Sequence, residues 1–443
     1  MAKKGKPDNN GEKAIPTSRA GRFARMARLA GGVAGGMVAE GARQLRAGNR
    51  PKAKELLLTP ANARRVTEQL ATMRGAAMKV GQMLSMDTGD FLPRELADIL
   101  GQLRSDAKYM PGAQLNEVMT EAFGEEWEST LYGFEMKPLA AASIGQVHRA
   151  ISPDGREIVL KVQYPGVAKS IDSDVDNIAG LVRLSGLLPD TLDIQPLLED
   201  AKAQLHDEAN YLKEAKFLAK FGELLGADER FLLPEVVPEL THRNVLAMTY
   251  VSGQPIESVV DLPQKERDRV MTTLFELMFL ELFELRLVQT DPNFANYQYQ
   301  PKTGKIVLLD FGATRRFKVD FVRQYKALAG AALKGDADGV VKAAERLGYA
   351  MGDENSEYRE LVLELFQLAL ESLAEDKPYD FAASDLVRQM SEMGEQATGF
   401  QDFWQAPPAD AVFFHRKVGG MFMLASRLKA RVNLYRTITP WLD

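Results

Sequence analysis

The amino-acid sequence predicts an α+β protein with two lobes, in which a small β-rich lobe precedes a larger helical lobe and a helical extension precedes both. Segments at 134–138, 147–151 and 157–163 have the composition expected of strands, and a turn-forming stretch joins the last two. Segments at 264–286 and 319–376 have apolar residues three to four positions apart, which predicts helices. This change of period along the chain predicts the two lobes.

Length and composition place the chain among globular proteins. It has 443 residues, of which 45% are hydrophobic and 26% are charged, so disorder is not the default. The absence of cysteine excludes disulfides, thiolate nucleophiles and Cys-ligated zinc or iron–sulfur clusters, and the four histidines are scattered. These counts argue against a metal site built from cysteine or histidine.

The sequence pattern divides the chain into four parts. Residues 1–20 form a basic tail that is predicted to be disordered, and 21–125 form the helical extension. We predict the small lobe at 126–252, with an inserted helix at 168–187, and the helical lobe at 253–443.

Positive charge is concentrated at the N-terminus. The net charge is −6, yet residues 1–50 contain eleven Lys and Arg against three Asp and Glu, which leaves the remainder near −14. A basic arm attracts an anionic membrane surface, whereas the acidic body argues against nucleic acid as a partner. A solvated tail is the alternative. No segment offers the ~20 apolar residues of a spanning helix, so membrane contact is expected to be peripheral.

Small residues recur in Gly-Gly-Val-Ala-Gly-Gly at 31–36, within the predicted extension. Small residues four apart allow two helices to approach closely, which would permit a homodimer or contact with a membrane. A flexible helix of low propensity is the alternative interpretation.

Two carboxylates and an amide lie close together in the sequence of the second lobe. Asp291 and Asn296 are five residues apart, the spacing of the Asp-x-x-x-x-Asn catalytic loop of protein kinases, and Asp310-Phe-Gly follows a predicted strand at 305–309. Phosphoryl transfer needs a metal that neutralises developing charge and a separate carboxylate that orients the acceptor oxygen. The motifs therefore indicate a protein-kinase-like fold in which Asn296 and Asp310 bind Mg²⁺ and Asp291 is catalytic.

Lys161 is the candidate phosphate-binding lysine. It lies in the predicted strand 157–163 within Ile-Val-Leu-Lys, which matches the Val-Ala-Ile-Lys pattern of kinases. A lysine among apolar strand residues requires an acidic partner, and a predicted helix at 194–226 offers Glu208 and Glu214. We favour Glu214, with a solvated Glu214 as the alternative.

The loop between the first two strands departs from the glycine-rich pattern of kinases. It reads Ala-Ala-Ala-Ser-Ile-Gly-Gln at 140–146 in place of Gly-x-Gly-x-x-Gly. Alanine cannot adopt positive φ cheaply, so the loop is expected to be stiff and to lie further from phosphates, with the Ser143 hydroxyl as a phosphate ligand. The residues that we assign to the adenine nucleotide, ATP or ADP, are Ala140, Ala141, Ala142, Ser143, Gly145, Lys161, Thr249 and Val251.

These features together resemble the UbiB/AarF family of atypical kinases, also called the ADCK family, which is linked to ubiquinone biosynthesis. The resemblance runs from about Ser18 to the C-terminus. Its motifs are Lys-Val-Gly-Gln at 79–82, the alanine-rich loop at 140–146, Lys-Val-Gln-Tyr-Pro-Gly at 161–166, Gln-Thr-Asp-Pro-Asn at 289–293 with Asn296, and Asp-Phe-Gly-Ala-Thr-Arg at 310–315.

The resemblance implies that the helix with Lys79 and Gln82 lies over the active site and limits the access of protein substrates. Its partner motif in the family is Glu-x-Asp, whereas this chain has Glu208-Ala-Asn210. Asparagine cannot supply the second negative charge, so Glu208 is the expected anchor of Lys79. We therefore assign regulatory roles to Lys79, Gln82 and Glu208.

The resemblance further implies a Mg²⁺-dependent ATPase or small-molecule (lipid) kinase that supports ubiquinone biosynthesis. The expected partners are quinone-precursor lipids or quinone-biosynthesis proteins, and the expected location is the cytoplasmic, inner face of a membrane, such as the bacterial inner membrane. One alternative is a non-catalytic scaffold or lipid-binding protein gated by nucleotide. An ordinary protein kinase is disfavoured because no obvious Ala-Pro-Glu segment follows Asp310.

Overall fold

The structure is a computed structural model, and its described residues form two compact units. The described residues are 109–184, 195–349, 357–386, 388–390, 392–393 and 409–442, with Gly35, Arg43, Arg46 and Ala76. The first unit contains the described residues of 1–85, 91–215 and 235–250, and the second contains those of 216–234 and 251–443. Most of the predicted extension, including the motif at 79–82, lies outside the described residues.

The first unit is built on a four-stranded antiparallel sheet. Its strands in spatial order are β1 (Ala140–Ala141), β2 (Gly145–Ile151), β3 (Glu157–Gln163) and β5 (Val245–Thr249). Six of the seven residues of β3 are buried, and the side chains of Leu160 and Val162 are fully enclosed. A strand that is covered on both faces has a nearly continuous apolar sequence. Strands predicted at 147–151 and 157–163 are confirmed.

Along the chain, helices of the first unit come before the sheet strands and between β3 and β5. They are α1 (Gly112–Phe123), α2 (Trp127–Thr130), α3 (Val167–Leu184), α4 (Gln195–Glu208) and α5 (Tyr211–Leu225), of which the residues from Lys216 onward belong to the second unit. Leu115 and Met119 of α1 are buried in the same apolar cluster as Leu160 and Val162. Helix α1 ends where Gly124 adopts a φ of 88°, a conformation that favours glycine.

Two predicted elements of the first unit are wrong in detail. The strand predicted at 134–138 is irregular, although the amides of Glu135 and Leu139 still donate to carbonyls of β2. Pro138 has no N–H to add to that ladder, which explains why regular pairing begins only at Ala140. The helix predicted at 194–226 is two helices, because Asn210 ends one and caps the next.

The second unit contains a mixed four-stranded sheet and a short two-stranded ladder. The larger sheet has the spatial order β4 (Phe231–Leu232), β9 (Lys305–Leu308), β8 (Tyr297–Gln300) and β6 (Gln254–Pro255), and the ladder pairs β7 (Leu287–Gln289) with β10 (Thr314–Arg316). Strand β9 confirms the strand predicted before Asp310. The segments between β7 and β10 contain the predicted catalytic residue Asp291 and the predicted metal ligands Asn296 and Asp310.

Helices supply most of the second unit. They are α6 (Gln264–Phe279), α7 (Val319–Leu333), α8 (Ala337–Leu347), α9 (Glu357–Glu371), α10 (Ala409–Arg427) and α11 (Leu434–Ile438). Helix α6 continues as a π-helix over Leu280–Leu285, and Arg286 ends it in the left-handed conformation with a φ of 53°. This confirms the long helix predicted at 264–286. A short pair, β11 (Tyr379–Asp380) with β12 (Arg431–Val432), completes the unit.

In the part of the chain that the structure describes, no helix is both long enough and apolar enough to cross a membrane.

Candidate functional site

Lys161 and Glu214 form a buried ion pair in the first unit. The Nζ atom of Lys161 lies 2.8 Å from one carboxylate oxygen of Glu214 and 3.0 Å from the other. Only 10% of the lysine side chain and 2% of the glutamate side chain are exposed. The Tyr211 ring lies beneath the ammonium group, 5.2 Å from Nζ to the ring centroid. The contact with the carboxylate offsets the cost of burying the ammonium group.

The first turn of α5 fixes the position of Glu214. Asn210 precedes the helix, and its side-chain oxygen accepts a hydrogen bond from the backbone N–H of Lys213 over 3.1 Å. This bond satisfies one of the amides that a helix leaves unpaired at its N-terminus. Glu214 lies in that first turn, where the helix dipole also favours a negative charge. Asn210 therefore contributes as a helix cap.

The alanine-rich loop forms a tight hairpin between β1 and β2. The amide of Ala142 donates to the carbonyl of Gly145 over 2.9 Å, and none of the residues 140–146 has a positive φ. A side chain at Gly145 would overlap the carbonyl oxygen of Val162, so glycine is needed there for space. Alanine can therefore occupy positions where protein kinases have flexible glycine, because the backbone of this loop needs no positive φ.

Ser143, predicted to contact phosphate, is hydrogen-bonded to a predicted regulatory residue. Its hydroxyl donates to a carboxylate oxygen of Glu208 over 3.1 Å. Gln163 reinforces the same link, since its side-chain amide donates to the carbonyl of Ala209 over 2.7 Å. The nucleotide loop and the C-terminal end of α4 are therefore joined. Lys79 and Gln82 lie outside the described residues, so their predicted contact with Glu208 stays a prediction.

The two other residues assigned to the nucleotide belong to different units. Thr249 is the last residue of β5, and its hydroxyl accepts a hydrogen bond from the amide of Glu235 over 2.8 Å. Val251 is half-buried and belongs to the second unit. The predicted role of both residues in nucleotide binding stays a prediction.

The second unit brings Asp291 and Asn296 together. The side-chain nitrogen of Asn296 donates to a carboxylate oxygen of Asp291 over 3.1 Å, and Asn296 is 7% exposed. A short 3₁₀-helix at Phe294–Asn296 sets this geometry, because Asn293 caps it by accepting from the amide of Ala295. Thr290 ties the loop to the following segment through its hydroxyl, which donates to the carbonyl of Ala313 over 2.7 Å.

Asp310 lies two residues beyond β9, in a turn. One of its carboxylate oxygens accepts a hydrogen bond from the amide of Gly312 over 2.9 Å. The amide of Leu309 donates to the carbonyl of Asn296 over 3.0 Å, which joins the two predicted metal-binding segments through the backbone. Phe311 anchors the turn from below, with its ring centroid 4.7 Å from that of Phe221.

These residues fit a magnesium ion that also binds phosphate oxygens. Carboxylate and amide oxygens are the ligands that Mg²⁺ prefers, and the ion is commonly held by one or two carboxylates together with nucleotide phosphates. The bond from Asn296 to Asp291 uses the amide nitrogen, so the amide oxygen is the atom of Asn296 that would bind the predicted metal. No group of three or more His, Cys, Asp and Glu residues suited to a metal occurs among the described residues.

The second unit also contains a buried ion pair, which the sequence analysis missed. Lys417 of α10 lies 3.2 Å from Glu281 in the π-helix, and each side chain is only 2% exposed. Its Nζ also donates to the hydroxyl of Tyr297 over 2.8 Å. Burial raises the pKa of the Glu281 carboxyl to about 7, although Lys417 opposes this effect. Glu281 lies in apolar helical sequence, but Lys417 directly follows His415 and Arg416, so the local sequence does not predict this pair.

Two comparisons of sequence place the chain in a family. The family described as ABC1 atypical kinase-like domain matches residues 102–344. The Danio rerio protein named atypical kinase COQ8B, mitochondrial, is 37% identical over 426 residues, which cover 95% of this chain and 68% of that protein. The Saccharomyces cerevisiae protein named atypical kinase COQ8, mitochondrial, is 36% identical over 433 residues, which cover 97% and 85% of the two chains.

A comparison of structures agrees on the fold. The structure described as the complex of Rv3197 with erythromycin from Mycobacterium tuberculosis has a TM-score of 0.57 and 23% sequence identity, and the match covers 85% of this chain and 94% of that one. At this identity the likeness shows the fold alone, and the predicted α+β, kinase-like fold is confirmed. The chain belongs to the ABC1 family of atypical kinases, which is the UbiB/AarF or ADCK family that its motifs resemble.

Proposed function

We propose that this chain is a Mg²⁺-dependent ATPase or small-molecule kinase that supports ubiquinone biosynthesis at a membrane surface. The observation that carries the proposal is the buried ion pair between Lys161 and Glu214. Burying two charges is costly, and a purely structural pair could be replaced by apolar residues without loss of stability. A charged lysine retained in a strand interior therefore supports a role in holding the α and β phosphates of ATP or ADP.

Three residues of the second unit would act on the reacting phosphoryl group. Asn296 and Asp310 would hold the metal, and Asp291 would orient the acceptor oxygen and accept its proton. The hydrogen bond from Asn296 keeps the Asp291 carboxylate in one orientation. When bound, Mg²⁺ neutralises the charge that develops on the phosphate oxygens. This division of roles supports either water or a small hydroxyl compound as the acceptor.

The quinone pathway and the membrane enter through the family and the charge distribution. The relatives are named as mitochondrial atypical kinases, and their family is linked to ubiquinone biosynthesis. A phenolic quinone precursor or a protein of that pathway is the proposed partner. Peripheral attachment through the basic residues 1–50 is the proposed mode of membrane binding, on the cytoplasmic, inner face. Flotation with anionic liposomes, with and without these residues, tests it.

A nucleotide-gated scaffold is the second candidate, and one contact favours it. The Ser143 hydroxyl is held by Glu208, so a side chain that was assigned to phosphate also serves a link between the loop and α4. Nucleotide binding could act through that link without turnover. The variant Asp291→Asn separates the two functions in a strain that depends on this protein. Quinone levels stay normal if the chain acts as a scaffold, and they fall if it acts as an enzyme.

Turnover of ATP tests the proposed function directly. Phosphate release is measured with and without Mg²⁺, anionic liposomes and quinone-precursor phenols, for the natural chain and for Asp310→Asn. Asp320→Asn is a matched control, because Asp320 is an exposed residue of α7 that pairs with Arg323. We expect Asp310→Asn to lose turnover and Asp320→Asn to keep the turnover of the natural chain. Equal turnover in all three chains would reject the assignment.

A further inference from the structure

One face of α10 contacts the predicted catalytic segments of the second unit at successive helical turns. Phe413, Lys417 and Gly420 are spaced four and three residues apart, so they lie on the same side of the helix. None of the three was assigned a role from sequence. Each contacts a different segment between β7 and the end of β10.

Lys417 and Glu281 together hold both ends of the catalytic loop. The ammonium group of Lys417 donates to the hydroxyl of Tyr297, the residue directly after Asn296. Glu281 pairs with the same ammonium group, and the backbone N–H of Gln289, two residues before Asp291, lies close enough to its carboxyl to help lower the pKa of that group. A single buried ion pair therefore fixes the residues that flank Asp291 and Asn296.

Gly420 lets the backbone of α10 approach the middle of the same loop. A Cβ atom at this position would overlap the side chain of Pro292, the residue after Asp291. The neighbouring Gly419 faces open space, with nothing within 4 Å of a Cβ placed there. Glycine is unfavourable inside a helix, so the glycine at 420 is explained by the loop against which it packs.

The same helix face extends to the segment that follows Asp310. The guanidinium group of Arg315 lies over the ring of Phe413, 3.6 Å from its centroid. Arg315 belongs to β10, which pairs with β7 immediately before the catalytic loop. Helix α10 therefore contacts the middle and the exit of the loop, and also the strand after the metal-binding turn, whereas Glu281 of the π-helix lies at the entry.

We infer that Lys417, Glu281 and Gly420 are positioning residues, which hold the loop 289–297 so that Asp291 and Asn296 keep their mutual geometry. The inference rests on the proposed function for its effect on turnover, while its effect on the loop can be measured independently. A buried ion pair often adds no stability over an apolar replacement, and in some proteins it specifies a unique arrangement of the elements that it joins. Because this pair lies at both ends of the loop, we attribute to it the arrangement of the loop and not a gain in stability.

The test compares Gly420→Ala with Gly419→Ala in the full chain. Hydrogen exchange of peptides spanning 287–300, the thermal unfolding midpoint, and kcat and KM for MgATP are measured for both. We expect Gly419→Ala to match the natural chain in kcat, KM and loop exchange, and to raise the midpoint because alanine is the better helix former. We expect Gly420→Ala to stay folded with a midpoint below that of Gly419→Ala, to keep KM and to exchange faster over 287–300. Its kcat should fall by roughly 10- to 100-fold, because small displacements of reacting groups are costly.

A charge-removal series separates positioning from stability. Lys417→Met leaves Glu281 buried without its cation and is expected to lower the unfolding midpoint. The double variant Glu281→Gln/Lys417→Met removes the unpaired charge and should restore the midpoint. It should leave kcat low and exchange over 287–300 fast, because the bond to Tyr297 is still missing. A purely structural pair would instead regain kcat together with the midpoint.

Three outcomes would overturn the inference. The first is equal kcat and equal loop exchange in Gly420→Ala and Gly419→Ala, and the second is recovery of kcat in the double variant. The third is global unfolding of Gly420→Ala, which would make α10 a general core element. If the natural chain itself does not turn over MgATP, the proposed function fails, and exchange over 287–300 alone decides whether α10 positions the loop.

Discussion

The ammonium group of Lys161 contacts both carboxylate oxygens of Glu214, although the two residues are 53 positions apart in the sequence. The pair joins the centre of the first unit's sheet to the first turn of α5. Both side chains are almost fully enclosed. The orientation of the lysine therefore depends on the helix as much as on its own strand.

Removing the lysine should destabilise the first unit and weaken nucleotide binding for separate reasons. Lys161→Met leaves the Glu214 charge buried and unpaired, which should cost about 3–5 kcal/mol of the free energy of unfolding in urea. The double variant Lys161→Met/Glu214→Met should recover most of that loss and still bind ATP weakly in calorimetry. If the double variant binds ATP as well as the natural chain, Lys161 does not hold phosphate.

The cap of α5 gives a second expectation. Asn210→Ala removes the acceptor of the Lys213 amide and should lower the free energy of unfolding by about 1 kcal/mol. Asn210→Asp keeps an acceptor and adds charge at the helix N-terminus, so its stability should equal or exceed that of the natural chain. Chemical denaturation of the three proteins decides the matter. A stability loss in Asn210→Asp that matches Asn210→Ala would show that the cap is unimportant.

Glycine at 145 is expected to be required for the hairpin. Gly145→Ala would force a methyl group against the Val162 carbonyl and should destabilise the protein by about 1–3 kcal/mol. Gly180→Ala in α3 is the control, because a Cβ there meets nothing within 4 Å. Alanine is also the better helix former, by about 1 kcal/mol. The unfolding midpoints should therefore move in opposite directions, and a shift of both in the same direction would contradict the packing assigned to Gly145.

His148 makes the first unit sensitive to acid. Burial lowers its pKa below 6.5, and the backbone carbonyl of Glu135 only partly opposes this. Between that lowered pKa and 6.5 the unfolded state binds more protons than the folded state, so stability is full above 6.5 and falls as the pH decreases. His148→Gln should show a smaller loss of unfolding free energy between about pH 7.5 and 5.5. An equal loss in both proteins would show that His148 does not cause it.

Much of the fold could be predicted because the local signals agree with the tertiary structure. In strands β2, β3 and β9 and in helix α6, most of the apolar residues on which the prediction rests are buried in the structure. The errors occur where one residue overrides a period. Asn210 interrupts a helical pattern by capping, and Pro138 removes a donor from an otherwise strand-like segment.

The candidate site could be predicted where a motif combines residue type with spacing. The contact between Lys161 and Glu214 is predicted from sequence, and the structure has it. Asp291 and Asn296 are singled out by spacing alone, and their side chains are in contact as well, while their roles stay predictions. The contribution of α10 could not be predicted in this way. Gly420 contacts Pro292 across a separation of more than a hundred residues, and nothing in the sequence near Gly420 distinguishes it from Gly419.

The central claim is a nucleotide site that depends on magnesium held by Asp310. The most direct test is calorimetric binding of ATP with and without Mg²⁺ to the natural chain, Asp310→Asn and Asp320→Asn. We expect Mg²⁺ to strengthen binding to the natural chain and to Asp320→Asn, and to leave binding to Asp310→Asn at its metal-free level. The same strengthening by Mg²⁺ in Asp310→Asn would contradict the account.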